Sequence, residues 1–445
     1  MIERETQADT ALVIHPQSPG GEPARAEARL EEACGLCEAV GLTVEDARIE
    51  SLRRIDAGTY FGAGKLAEIS EEVADREIRA VVVDAALSPV QQRNLEKAWK
   101  AKVIDRTGLI LEIFAERAQT REGRLQVELA RLTYARSRLV RTWTHLERQR
   151  GGRGFLAGPG ESQIETDRRI ISDQMAKLRA ELEEVKRTRA LHRKRREAAP
   201  WPTVALVGYT NAGKSSLFNR LSRSKVMAKD MPFATLDPTV RAVRTASGRK
   251  ILLSDTVGFI TDLPTELIAA FRATLEAVRE ADILVHVRDL SDPDNEGRKA
   301  DVGAVLDALE AGPEHGQRVI EAWNKIDLLD TEDRDGAQWR ARLPKKPNAP
   351  PVAAVSAETG EGMGELMAEI EAALAADDEI LRLRIAPEEA EALAWIHENG
   401  EVTDDRTDPD TGVIYAVARL TPPDAGRFRR RFPGVEQSRE RAAAE

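Results

Sequence analysis

Apolar and polar positions along the chain fall into four successive regimes. Over residues 1–115, short aliphatic runs alternate with stretches of helical period. ALVIH, ARIESL, VVVD and KVID read as strands, with GKLAEISEEVADRE and PVQQRNLEKAWK as helices between them. Strands separated by helices predict a small α/β domain with a largely parallel sheet. Over residues 116–200 the pattern changes to apolar positions at alternating spacings of four and three. Leu125, Leu129, Leu132, Leu139, Trp143 and Leu146 form one stripe, broken by Arg136. Ile164, Ile171, Met175, Leu178, Leu182 and Val185 form the other, broken by Arg168. Two heptad-like stripes predict an antiparallel coiled-coil hairpin, each arm of about 25 residues reaching about 37 Å. Residues 201–376 return to strand–helix alternation, which predicts an α/β domain with a mixed, mostly parallel sheet and helices on both faces. The tail, 377–445, shows LRLRI, a helix around Ala394-Trp395, and two strand-like runs joined by Asp-Pro-Asp-Thr-Gly, which reads as a hairpin turn in a small α+β domain.

Glycine punctuates the hairpin. Gly151, Gly152, Gly154, Gly158 and Gly160 fall within ten residues, so about 150–161 is expected to be the tip, and Ser162 with Glu165 is a candidate capping box restarting the helix. Charge adds to this picture. Residues 116–200 hold 21 Lys and Arg against 12 Asp and Glu, whereas the whole chain carries −10. A locally basic arm on an acidic protein suits phosphate neutralisation, although a solvated coiled coil with i,i+4 partners explains its flanks equally well. Arg150, Gly151, Gly152, Arg153, Gly154, Arg168 and Arg169 are the candidate RNA contacts.

A chain of 445 residues with 42% hydrophobic and 4% aromatic content reads as a soluble protein of several domains. No apolar run approaches the roughly 20 residues that span a bilayer, and MIERETQAD has no apolar signal core. The expectation is a cytoplasmic monomer without stable membrane insertion, partial association with a membrane surface being left open. Cys34 and Cys37, the only cysteines, share one face of a helical pattern and read as core residues, and the six histidines are scattered.

The chemistry concentrates after residue 200. In TVALVGYTNAGKS, a β-branched run leads into Gly208-x-x-x-x-Gly213-Lys214-Ser215 and then an apolar helical pattern, the strand–loop–helix context of a phosphate-binding loop. Backbone N–H groups of Gly208, Tyr209, Thr210, Asn211, Ala212, Gly213, Ser215 and Ser216 can close around phosphates. Lys214 supplies charge to the β- and γ-phosphates, and the Ser215 hydroxyl can ligate Mg²⁺. KILLSDTVGF places Asp255 at a strand end, positioned for Mg²⁺ through water. Thr256, Val257 and Gly258 follow, and the Gly258 N–H is placed to sense a γ-phosphate. In VIEAWNKID, Asn324, Lys325 and Asp327 form a guanine reader, because a carboxylate can accept from both N1 and N2 of guanine. Ser356 and Ala357 can present a backbone N–H to guanine O6. Thr235 and Thr239 both suit the switch threonine that binds Mg²⁺ and γ-phosphate. Thr235 is favoured, since Thr239 can begin the next strand. Lys214, Thr235, Gly258 and Asn211 are the candidate catalytic residues. Phe259 stands where a water-orienting glutamine is common, so intrinsic hydrolysis is expected to be slow. Asn211 is a candidate ligand for K⁺ in place of an arginine finger.

The order of TYFGAGKL, RTGLILEIFAERAQTREGRLQVELARLTY, GPGESQIETDRR, GYTNAGKS, FATLDPTV, DTVGF and NKID resembles the HflX-type GTPases over residues 10–376. The resemblance implies GTP and GDP binding, attachment to the large (50S) ribosomal subunit and its 23S rRNA, and ribosome-stimulated hydrolysis. It also implies splitting or rescue of 70S ribosomes under stress, with the arm reaching toward the peptidyl-transferase centre. An ATPase activity attributed to the N-terminal region in some members is carried here only by the degenerate FGAGK. Glu358 departs from the lysine common in the last motif. The alternative reading is a GTP-dependent switch for another RNA or protein partner.

Overall fold

The computed structural model describes residues 10–20, 22–149, 159–196, 201–224, 233, 239–261, 272–343 and 349–441. Among them the strands form three sheets. Strands β1 (Thr10–Gln17), β2 (Thr43–Ser51), β3 (Ala80–Val83) and β4 (Lys102–Asp105) make the first, in the order β2-β1-β3-β4 and parallel throughout. Helices α1 (Pro23–Ala39), α2 (Ala63–Asp75) and α3 (Pro89–Trp99) alternate with them, and α4 (Arg106–Arg117) follows β4. α3 opens on a capping box in which the Ser88 side chain accepts from the Gln91 N–H, while the Gln91 side chain takes the Ser88 N–H. Cys37 lies in the helix-facing core and is fully buried, with its thiol pKa pushed well up by burial, whereas Cys34 is half-buried beside it. The cysteines therefore pack as small core residues.

Helices α5 (Arg121–Gln149) and α6 (Pro159–Arg196) pack on one another as the predicted hairpin. They are longer than the apolar stripes implied: 29 and 38 residues, or about 44 and 57 Å of helix. The helix restart differs from the expected capping box at Ser162. α6 already begins at Pro159, so Ser162 lies inside the helix. Met175 and Leu182 of the predicted stripe are buried. Leu125 and Leu129 are only half-buried, while Val127 and Ala130 turn into the core beneath α4. The base of α5 thus serves the first domain as well as the hairpin.

The second sheet, in the order β10-β9-β8-β5-β7-β6, comprises β5 (Thr203–Gly208), β6 (Thr239–Arg244), β7 (Lys250–Asp255), β8 (Ile283–Asp289), β9 (Arg318–Asn324) and β10 (Val352–Ala354). Only the edge strand β6 is antiparallel. Runs such as ILVHV on β8 are buried on both faces, as expected where helices cover each side of a parallel sheet. β11 (Glu379–Ile385), β12 (Glu401–Thr407), β13 (Ile414–Leu420) and β14 (Glu436–Arg441) form the third sheet, antiparallel in the order β12-β13-β11-β14. The Asp408 side chain caps the predicted turn by accepting from Asp410 and Thr411, and Gly412 supplies its positive φ of 68°.

The domains built on the first and second sheets share a core. Val13, Leu36, Leu109 and Phe114 belong to the same buried cluster as Val207, Phe259 and Val278. The Phe114 ring meets Phe233 edge-on at 4.6 Å, so the N-terminal domain reaches the segment leading into β6.

Candidate functional site

β5 delivers the chain to the phosphate loop, and α7 (Lys214–Ser222) leaves it. The loop needs its glycines. Gly208 has φ 152°, and a Cβ there would lie 2.3 Å from the Val287 carbonyl oxygen; Gly213 has φ 91°, and its Cβ would meet Asn324 Nδ2 at 2.2 Å. Asn211 also has positive φ, 58°, a left-handed conformation that asparagine tolerates better than most residues, and its side chain is exposed. Gly258 packs on the loop from the other side. A Cβ there would come within 3.0 Å of Thr210 Cα and 3.1 Å of Lys214 Nζ, so glycine lets this backbone approach the lysine.

Lys214 is buried, donating from Nζ to the Tyr209 carbonyl oxygen at 2.6 Å. Burial pulls its pKa down to about 8, against the opposing pull of Asp255. An ammonium held in that state gains most from an anionic ligand. The Ser215 hydroxyl donates to Asp255 Oδ2 at 2.7 Å, and Asp255 is fully buried at the end of β7. These two predicted residues therefore meet. Thr256 and Val257 do not turn their side chains to the pocket. The Thr256 hydroxyl donates to the Leu206 carbonyl at 2.6 Å, and Val257 packs in the shared core.

Asn324 ends β9 and bridges two loops: Nδ2 donates to the Ala212 carbonyl at 2.8 Å, and Oδ1 accepts from the Ala357 N–H at 3.0 Å. That second bond bears on the expected contact between Ala357 and guanine O6, because the N–H is already engaged and must be shared or released. The Ser356 N–H likewise donates to Glu361 O at 2.9 Å. Lys325, with φ 63°, pairs with Asp289 at 2.7 Å, and Asp327 follows, half-buried, in a single 3-10 turn. Sequence patterns did not point to Arg220. From α7 it donates Nε to the Ala357 carbonyl at 3.0 Å and Nη2 to the Glu358 carbonyl, so α7 holds the loop after β10.

Phe259 is buried in the shared core, and its backbone is stitched to the phosphate loop. Its N–H donates to Gly208 O at 3.0 Å, and its carbonyl accepts from the Thr210 N–H at 2.8 Å. Thr239 begins β6, paired with Asp255, in keeping with its expected strand role. Thr235 and the tip residues Arg150, Gly151, Gly152, Arg153 and Gly154 lie outside the described residues. Arg168 and Arg169 are exposed on α6. At the FGAGK segment, Lys65 sits in the first turn of α2 with its ammonium 3.0 Å from Glu50 and 2.9 Å from Glu68.

Residues 203–325 match the family described as 50S ribosome-binding GTPase. Residues 27–115 and 117–196 match the GTP-binding GTPase N-terminal and middle regions, and residues 342–442 the HflX C-terminal domain. The chain is 46% identical over 428 residues to GTPase HflX of Magnetococcus marinus, covering 96% of each sequence. The chain belongs to the HflX family of GTPases. A second HflX relative, from Escherichia coli, is 42% identical over 379 residues, covering 81% of this chain and 86% of that protein. Among solved structures, the chain is similar to a GTP-binding protein from Sulfolobus solfataricus in complex with GDP: 25% identity, TM-score 0.43, covering 82% of this chain and 98% of that one. HflX membership makes the pocket a guanine-nucleotide site and the chain an enzyme that hydrolyses GTP. No helix among the described residues is long and apolar enough to cross a membrane.

Proposed function

We propose that this GTPase acts, as a monomer, on the large ribosomal subunit, with the helical hairpin as its rRNA-reaching element and nucleotide state controlling attachment. The observation that carries the reading is the arm itself. Two packed helices of 29 and 38 residues expose Arg168 and Arg169, in a region with 21 basic and 12 acidic residues on an otherwise acidic chain. The family description matched by residues 203–325 supports the same partner. Attachment of this kind would serve splitting or rescue of 70S ribosomes in the cytoplasm.

In this reading the backbone of residues 208–216 cradles the phosphates, and Lys214 moves from the Tyr209 carbonyl to the β- and γ-oxygens. Asp327 accepts from the base, and the Gly258 N–H reads the γ-phosphate. The oxygens of Ser215 and Asp255, 2.7 Å apart, are the hard donors that suit Mg²⁺, with Thr235 as the proposed switch ligand. Mg²⁺ bound there would neutralise charge between the β- and γ-phosphates. Phe259 offers no hydrogen bond to an attacking water, so unstimulated turnover is slow and a ribosomal or internal group completes the site. Asn211 is retained as a K⁺ ligand, an assignment removed by equal turnover in K⁺ and Na⁺.

Co-sedimentation with purified subunits tests the proposal. Enrichment on 50S with a non-hydrolysable GTP analogue, reduced by Arg168→Glu with Arg169→Glu, is the expected result. No 50S binding in either nucleotide state overturns it and favours a different partner.

A further inference from the structure

Two adjacent residues at the junction of β4 and α4 face opposite ways. Asp105 takes hold of the arm: its carboxylate accepts from Tyr134 Oη and, at 2.7 Å, from Arg138 Nη2, both on α5. The Arg138 guanidinium also stacks on the Tyr134 ring at 4.1 Å, and Asp105 is anchored locally by the N–H groups of Gly108 at 2.9 Å and Leu87 at 3.2 Å. Arg106 takes hold of the GTPase domain. Its Nε donates to the Thr261 carbonyl at 3.2 Å, while Nη1 and Nη2 are fixed by Asp84 at 2.5 Å and Glu32 at 2.6 Å. Both residues are buried, 2% and 3% exposed, so neither geometry is that of a freely rotating surface side chain.

Thr261 is three residues beyond Gly258. It is itself fixed to the phosphate loop, with its N–H donating to Tyr209 Oη at 3.1 Å and its hydroxyl 2.7 Å from the same oxygen. The backbone between Gly258 and Thr261 is thus held at one end by Gly208 and Thr210 and at the other by Tyr209 and Arg106. A guanidinium reaches these three acceptors from three nitrogens held in a fixed planar fork, whereas the three donors of an ammonium all leave one atom.

We infer that Arg106 is a positioning residue for GTP hydrolysis: it fixes the segment after Gly258 through the Thr261 carbonyl, and the Asp105–Arg106 dipeptide makes that segment sensitive to the seating of the helical arm. The inference rests on GTP hydrolysis and not on the ribosomal partner, and its test contains no ribosomes.

The experiment is a double-mutant cycle on the full chain, read by single-turnover GTP hydrolysis and, separately, by affinity for a fluorescent GTP analogue. Arg106→Lys keeps the charge opposite Asp84 and Glu32 but loses the fork. It is expected to slow hydrolysis roughly fivefold with affinity changed less than about twofold, the scale of a coupling that acts through packed intermediates. Tyr134→Phe removes only a hydroxyl from the arm, remote in sequence from the nucleotide motifs, and keeps the proposal testable if Arg106→Lys does not fold. Its expected effect is a change in hydrolysis rate, absorbed when Arg106 is already Lys. Unchanged hydrolysis in Arg106→Lys overturns the positioning role. Silent Tyr134→Phe, or additive effects in the double variant, overturns the link to the arm. Equal losses of rate and affinity assign both residues to folding alone.

Discussion

Asn324 donates to the carbonyl oxygen of Ala212 at 2.8 Å, so the asparagine that opens the base-recognition motif is a structural tie to the phosphate loop. The same side chain accepts from Ala357, and three nucleotide loops therefore depend on one buried amide.

Asn324→Ala leaves the Ala212 carbonyl and the Ala357 N–H without this partner, each at about 1–3 kcal/mol when buried. GDP affinity is expected to fall by roughly a hundredfold, with a lowered melting temperature of the nucleotide-free protein. Titration with a fluorescent GDP analogue alongside thermal melts checks both; retained affinity would show that the tie is redundant.

Asp327→Asn removes the carboxylate proposed to accept from both N1 and N2 of guanine and substitutes a side chain suited to a base with an acceptor at C2. Preference should move from guanine to xanthine nucleotides by at least about a hundredfold, the scale of rejection for an unmatched buried polar group. Competition between GDP and XDP measures it, and an unaltered preference assigns base reading elsewhere.

Lys214→Met should abolish nucleotide binding yet stabilise the nucleotide-free protein. The folded pKa, about 8, lies below the ordinary 10.5, so burying the ammonium costs about 3 kcal/mol below pH 8. Between pH 8 and 10.5 the unfolded chain binds more protons, and wild-type stability rises with pH. The melting-temperature advantage of the methionine variant should therefore be largest at pH 7 and shrink by pH 9.5. An advantage independent of pH would trace it to packing.

His286, buried on β8, has its pKa drawn down to about 4 from 6.5, by burial first, against the pull of Glu321. Because the folded value is the lower one, this neutral histidine contributes stability above pH 6.5 that is lost as pH falls through 4. Urea unfolding of the wild type should lose stability as pH falls across that window, and His286→Gln should flatten the slope. An identical slope in both proteins would place the acid sensitivity in other groups.

Much of the candidate nucleotide site is legible because its demands are local. A phosphate loop needs glycines at fixed spacing after a strand, as Gly208 and Gly213 show, and Asp255 and Asn324 end strands whose aliphatic runs announce them. The hairpin was legible from heptad spacing, but the start of its second helix was not. Pro159 and Ser162 both carry helix-initiating chemistry, and the choice between them lies in backbone conformation beyond the apolar stripe. Val127 and Ala130 were missed because they face the N-terminal domain, off the stripe that pairs the two helices.

The sequence by itself determined the parallel-sheet GTPase domain, the spacing of its candidate phosphate and base motifs, and the helical arm, since each is written in periodicity or spacing within a few tens of residues. Only the tertiary structure decided what joins them. Arg106 and Thr261 are 155 positions apart, Arg220 and Ala357 are 137, and Asn324 and Ala212 are 112. A buried hydrogen bond leaves no periodic trace along a chain; it exists because the packed domains bring a donor and an acceptor together where water cannot compete.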